Sequence, residues 1–218
     1  MKMVKVTPLE RAIDRFLLLY LISKTEYVEN FGNTKLQKFT FLSEWEMIDK
    51  RDRGFCYYYL KYAKGPYSFD LAGDIKTLVK ANIIHKRRWC LTLTKFGDSI
   101  VEDFSELRNQ NIHPISIIDK TINKYAEYSL QELLDEVYSL PHPYVKGYTI
   151  RTATLKMPLL YRLPKEKVVV PFKANEEQIE ALHVSLSTKG LKHWQAVKDD
   201  MRKAEYLTYK EVFGSVKF

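Results

Sequence analysis

The chain of 218 residues is long enough to bury a sizeable core, as one domain or as one domain with a smaller appendage. Its hydrophobic fraction of 45% is ordinary for a folded chain, and its net charge of +8 suits an anionic partner without specifying a fold. The longest apolar run, Phe16 to Ile22, is too short to cross a bilayer, and no leader pattern precedes it, so neither a membrane span nor a signal peptide is expected.

In chain order, Thr7 is placed to cap a first helix, with Pro8 at its first position and Glu10 at the capping-box position. Leu9, Ile13, Phe16, Leu17, Tyr20 and Leu21 mark its buried face, and the helix should end near Lys24. After a turn at Gly32-Asn33, Thr34 is expected to cap a second helix over 35–49. Its inward face is read as Leu36, Phe39, Thr40, Leu42, Trp45 or Glu46, and Met47, with Lys35 and Lys38 directed to the surface. The polar linker 50–54 leads into Phe55 to Tyr62, an aromatic, strand-like run. One account packs one face on the core and lets tyrosine tips reach water; another makes the run a platform for bases or a partner.

The stretch 64–97 organises the rest. Gly65-Pro66-Tyr67 breaks the extended run, and Ser68 can cap a helix from Phe69 to about Ala81. Phe69, Ala72, Ile75, Leu78 and Val79 form its apolar face; Asp70, Asp74, Lys76 and Lys80 fall on the other. Asn82 suits a left-handed helix end. Ile83-Ile84 then starts a hairpin with His85, Lys86, Arg87 and Arg88 at its tip and Trp89 to Leu93 as the return strand. Thr94 is placed to cap the next helix, 95–108. This order predicts a winged helix-turn-helix with a basic wing.

A loop over 109–114 is expected to lead to a helix carrying Ile115, Ile118, Ile122 and Tyr125. Ser129 and Glu132 then form a capping box for a short helix that Pro141-His142-Pro143 ends. From 144 to 174, prolines partition extended pieces, with Val168–Val170 as a strand. Asn175 caps a helix over 176–187, and a further helix covers 189–203. The segment 206–218 is either a frayed end or a docking strand. The predicted class is mainly α (α+β): a winged-helix domain over 1–145 and a C-terminal extension over 146–218 with an extended segment and two helices.

Little here points to catalysis. Phosphate-loop, dinucleotide-fingerprint, HExxH and GxSxG motifs are lacking, and the five histidines are scattered. No catalytic residue, metal ligand or cofactor is therefore proposed, and a non-enzymatic role is expected. Cys56 and Cys90 make no metal or disulfide framework and read as small buried hydrophobes, which suits a reducing, cytoplasmic setting. Charge is unevenly spread. Residues 51–100 hold ten Lys and Arg against four Asp and Glu, while residues 101–150 hold four against eight. The basic excess thus coincides with the hairpin, where Lys and Arg could neutralise phosphates. The candidate nucleic-acid contacts are Ser68, Lys76, Lys80, His85, Lys86, Arg87 and Arg88. Asp70 and Asp74 would repel phosphates unless paired.

The segments TKLQKF (34–39) and GPYS (65–68), with Leu71 and then Ala81-Asn82-Ile83 in place of a glycine turn, resemble the YwgA-like and Panacea (SocA-like antitoxin) superfamily. SLQELL (129–134) with Val137-Tyr138 is similar to the helix that closes that module, so the resemblance spans roughly 8–150. It implies a binding module rather than an enzyme: an antitoxin or adaptor that would hold a protein partner, such as a toxin, near Gly65, Pro66, Tyr67 and Asp70. Duplex DNA and a protein partner both stand as ligands at this point, a homodimer is compatible, and no membrane contact is expected.

Overall fold

Helix α1 (Pro8–Ser23) starts as its sequence requires. The Thr7 hydroxyl accepts from the Glu10 N–H, and the Glu10 carboxylate accepts from the Thr7 N–H. Phe16 to Leu19, Leu21 and Ile22 have no solvent exposure, so the second half of α1 is buried all round; Leu9, at its start, is exposed. A helix enclosed in this way needs neighbours on every side, and α1 receives them from the helices over 33–49, 95–103, 112–125 and 176–185 and from the strand over 90–93. The computed structural model describes residues 6–161 and 167–205, with side chains through 199.

Helix α2 (Asn33–Asp49) is the second enclosed element. It begins before Thr34, with Gly32 as its cap residue and no side-chain cap. A Cβ on Gly32 would stand 2.8 Å from the Trp89 carbonyl oxygen, so the backbone of the hairpin occupies that space. Lys35 and Lys38 turn inward, contrary to the surface placement expected. Their amines donate to the Glu29 and Pro66 carbonyls at 2.9 and 2.6 Å. Backbone acceptors satisfy the two charges that hydrophobic periodicity would leave in water.

Only the end of the aromatic run is strand: β1 (Tyr59–Tyr62). It lies between β2 (Gly65–Tyr67) and β5 (Pro158–Leu160) in an antiparallel sheet of order β2-β1-β5. The Gly-Pro-Tyr stretch thus forms a strand as well as a turn. Gly65 takes φ 78, and Pro66 is tolerated because β2 is an edge. The tyrosine tips do not all reach water, since Tyr57 and Tyr59 are wholly buried. Cys56 is buried outside a strand, whereas Cys90 is half-buried.

Helix α3 (Phe69–Lys80) is capped by Ser68 and ends before Asn82, which takes φ 54 as expected. Its buried stripe is Leu71, Asp74, Ile75 and Leu78; Phe69 and Asp74 have exchanged their expected sides. The hairpin follows as β3 (Ile84–Arg87) and β4 (Cys90–Leu93), paired from Ile84↔Leu93 to Arg87↔Cys90. This register places His85, Lys86 and Arg87 in the strand and leaves Arg88-Trp89 as the two-residue tip.

Thr94 caps α4 (Lys95–Asp103), and a break at Phe104 separates it from α5 (Ser105–Gln110). The loop expected over 109–114 is almost absent, because α6 (Ile112–Tyr125) starts directly after Asn111. The Asn111 side chain accepts from the Lys173 N–H and donates to the Lys173 and Leu107 carbonyls. Helix α7 (Leu130–Ser139) carries the expected Ser129–Glu132 box. Val168–Val170 makes one parallel bridge, Asp52 to Val170, and no strand. Helices α8 (Glu176–Ser185) and α9 (Thr188–Glu205) complete the described chain; the segment 206–218 lies outside the described residues. Leu159, Leu160, Leu182 and Leu186 join the same apolar cluster as α1 and α2, so residues on both sides of the expected boundary near 145 share one core. The class is α+β.

Two glycines give a paired test of this packing. A Cβ at Gly97 would lie 2.3 Å from the Ile83 carbonyl, at the base of the hairpin, while Gly73 on α3 meets nothing within 4 Å. Gly97→Ala should cost about 1–3 kcal/mol in urea unfolding, as overpacking does. Gly73→Ala should stabilise by about 0.5–1 kcal/mol, the cost of an exposed helical glycine.

Candidate nucleic-acid interface

The site is built outward from a clasp between α2 and the Gly65–Ser68 turn. The Ser68 N–H donates to Gln37 Oε1 at 2.9 Å, and Gln37 Nε2 donates to the Ser68 carbonyl at 3.0 Å. One residue on, Lys38 reaches the Pro66 carbonyl. The Ser68 hydroxyl then caps α3 by accepting from the Leu71 N–H. Ser68 is at 0% exposure, so it positions the helix and cannot itself touch a ligand. Gly65 and Pro66 are likewise buried; of the residues expected to meet a protein partner, Tyr67 and Asp70 retain solvent exposure. Burial pushes the Lys38 amine down to about 7, and the nearby Lys61 and Lys64 charges act in the same direction.

The acids of α3 are turned away from solvent or matched. Asp74 accepts from Arg15 Nε at 2.8 Å, from Arg11 Nη1 at 3.0 Å and from the Tyr57 hydroxyl at 3.1 Å. Asp70 lies 3.8 Å from Arg11. The repulsion of phosphates that both residues threatened is therefore removed at Asp74 and reduced at Asp70. Gly73, Lys76, Thr77 and Lys80 form the outer face of the helix.

Behind this face lies a buried acidic layer. Asp14 Oδ1 accepts from the Cys56 N–H at 2.8 Å. Burial pushes the Asp14 carboxyl up to about 7, with Arg11 pulling it down by less and Asp74 adding to the rise. Glu44 is also wholly buried; burial and then the Asp14 charge raise it well above the usual range, with smaller opposition from the Tyr57 backbone and Arg53.

The hairpin is fixed at both ends. The Leu91 N–H donates to the Phe31 carbonyl at 2.9 Å, and the Thr94 N–H donates to the Ile83 carbonyl at 3.0 Å. The Thr94 hydroxyl adds a bond to the Asn82 carbonyl. His85, Lys86, Arg87 and Arg88 are all exposed. Arg88 takes φ 29 at the tip, and Trp89 beside it is 70% exposed. Among the described residues, Lys76, Lys80, Lys86, Arg87 and Arg88 form no ion pair. Lys86, Arg88 and Trp89 also line an open groove of about 1370 Å³ with Lys35, Lys64 and Tyr128, and Glu29, Glu127 and Glu132 line it too, so its charge is mixed.

The structure thus brings Lys86 and Arg88 together with Lys35 and Lys64, which sequence reasoning missed. Phe69 was missed because its spacing to Ala72 matched an inward stripe. Trp89 adjoins three cations in sequence, and that adjacency was the available signal. Among the described residues, no group of three His, Cys, Asp or Glu side chains could hold a metal, and no helix is long and apolar enough to cross a membrane. Comparisons with family models, with curated proteins and with solved structures found no match.

Two measurements probe the layers behind the interface. Gln37→Leu strips the Ser68 N–H of its acceptor inside the protein and should cost about 1–3 kcal/mol in denaturant unfolding. Asp14 holds its proton to about pH 7 in the folded state and loses it near 3.8 otherwise, so its contribution to stability falls as pH rises between those values. Asp14→Asn should therefore gain in Tm relative to the parent between pH 4.5 and 7. Lys38 acts above that window: unfolded, it keeps its proton up to about 10.5, so its contribution falls with decreasing pH between those values and rises with pH from about 7.

Proposed function

We propose that the protein is a non-enzymatic, winged-helix DNA-binding regulator. In this reading α3 lies in the major groove of duplex DNA, and β3–β4 is the wing that grips phosphate. The observation that carries it is the set of five cations, Lys76, Lys80, Lys86, Arg87 and Arg88. They stand on an exposed helix face and the hairpin that follows it, without an ion pair among the described residues. A protein gains little by leaving such charges unmatched, whereas a polyanion converts each into counterion release. The inward turn of Asp74 supports the same reading, because it clears the helix of an acid that would otherwise face the ligand.

A second reading follows the resemblance to the YwgA-like and Panacea superfamily: an antitoxin or adaptor that binds a protein. It is favoured by the contacting rings of Tyr62, Tyr67 and Phe69 at the surface, beside Asp70. A protein partner released by Tyr67→Ala and retained in high salt would support it over DNA.

Fluorescence anisotropy with a labelled duplex at graded salt tests the first reading. Affinity should fall steeply as salt rises. The triple variant Lys86→Ala, Arg87→Ala, Arg88→Ala should weaken binding and flatten the log–log slope by about one unit for each phosphate no longer neutralised. Duplex binding that is absent, or indifferent to salt, would overturn it.

A further inference from the structure

We infer that Phe69 and Trp89 are base-stacking rings, so that the nucleic acid held by α3 and the hairpin carries unpaired bases next to its duplex. This rests on the nucleic-acid reading above and names the class of ligand more closely. Phe69 opens α3 at 59% exposure, and its ring is held by two edge-on contacts. The first is to Tyr67 at 5.0 Å and 77°, and the second to Tyr62 at 5.9 Å and 84°. Tyr62 and Tyr67 are themselves 5.6 Å apart at 34°, so they brace Phe69 as a pair. An exposed aromatic ring without neighbours would be free to fold back; this one is held out. Trp89 is 70% exposed on the hairpin tip, whose backbone rests against Gly32.

The chemistry around the rings decides the occupant. An apolar protein surface would call for more apolar area along α3. Instead the outer face runs from Phe69 past Asp70, which Arg11 offsets at 3.8 Å, and Gly73 to Lys76, Thr77 and Lys80. A protruding ring followed by unmatched cations suits a ligand with π-faces and phosphates together. In a continuous duplex the base faces are covered by their neighbours, so such rings find a target only where bases are unstacked. Aromatic stacking on a free base is worth about 1–3 kcal/mol.

The test compares a blunt duplex with the same duplex extended by a single-stranded overhang, by fluorescence anisotropy on the full chain. The overhang should bind about tenfold more tightly, which is about 1.4 kcal/mol. Phe69→Ala and Trp89→Ala should each lower overhang affinity by more than they lower blunt-duplex affinity and so reduce that gain, while Phe69→Tyr should keep it. Both side chains are exposed, and matching thermal unfolding curves would show the variants folded. Equal affinity for the two probes, or an equal loss on both in the ring variants, overturns the stacking inference while leaving duplex binding in place. Overhang binding kept in full by Phe69→Leu overturns it as well, because leucine keeps apolar bulk without a π-face. Binding of neither probe overturns both this inference and the reading beneath it.

Discussion

The paired hydrogen bonds between the Gln37 side chain and the Ser68 backbone set the geometry of the exposed surface. They join the second turn of α2 to the residue that caps α3. A carboxamide suits this position because it donates and accepts in one plane, so it meets both the N–H and the C=O of one residue that has no strand partner there. Lys38 extends the clasp to Pro66 with a donor only, which is what a carbonyl requires. The two sequence segments behind the family resemblance, TKLQKF and GPYS, are thus two halves of one contact. The start of α3 is thus held by main-chain contacts in addition to its own apolar side chains.

Once that direction is set, α3 divides its charges. Asp74 faces Arg11 and Arg15 on α1, where low solvent access strengthens each ionic hydrogen bond and makes an unmatched carboxylate costly. Lys76 and Lys80 face outward. The helix is therefore bipolar across its section. Its acid holds it to α1, and its cations stay in water. Deeper in, Asp14 has Arg11 at 3.9 Å, too far for a hydrogen bond, and burial moves both Asp14 and Glu44 toward their neutral forms.

Much of this was legible in the sequence where the physics is local. The boxes Thr7–Glu10 and Ser129–Glu132, the Ser68 and Thr94 caps, and the left-handed Asn82 each depend on residues within one turn. The hairpin was legible for the same reason, although its tip lay one to three residues later than expected. What failed was what depends on distant partners. Nothing near Asp74 in sequence announces Arg11 and Arg15, some sixty residues earlier. Lys35 and Lys38 read as surface residues because hydrophobic periodicity has no symbol for a buried amine on a carbonyl. Strand β5 was hidden by Pro158, and the loop expected over 109–114 was replaced by helix around an Asn111 whose partner, Lys173, comes from far along the chain.

The anchoring of the hairpin has a kinetic side. Its base is tied by Thr94, its return strand by Phe31, and its tip lies against Gly32, where any Cβ would crowd the Trp89 carbonyl. A loop that orders only when its target arrives must give up backbone freedom at each encounter. This one has surrendered that freedom during folding and has only its long side chains left to immobilise, at about 0.5–1.5 kcal/mol each. Association with an oppositely charged partner would then require no prior ordering of this backbone.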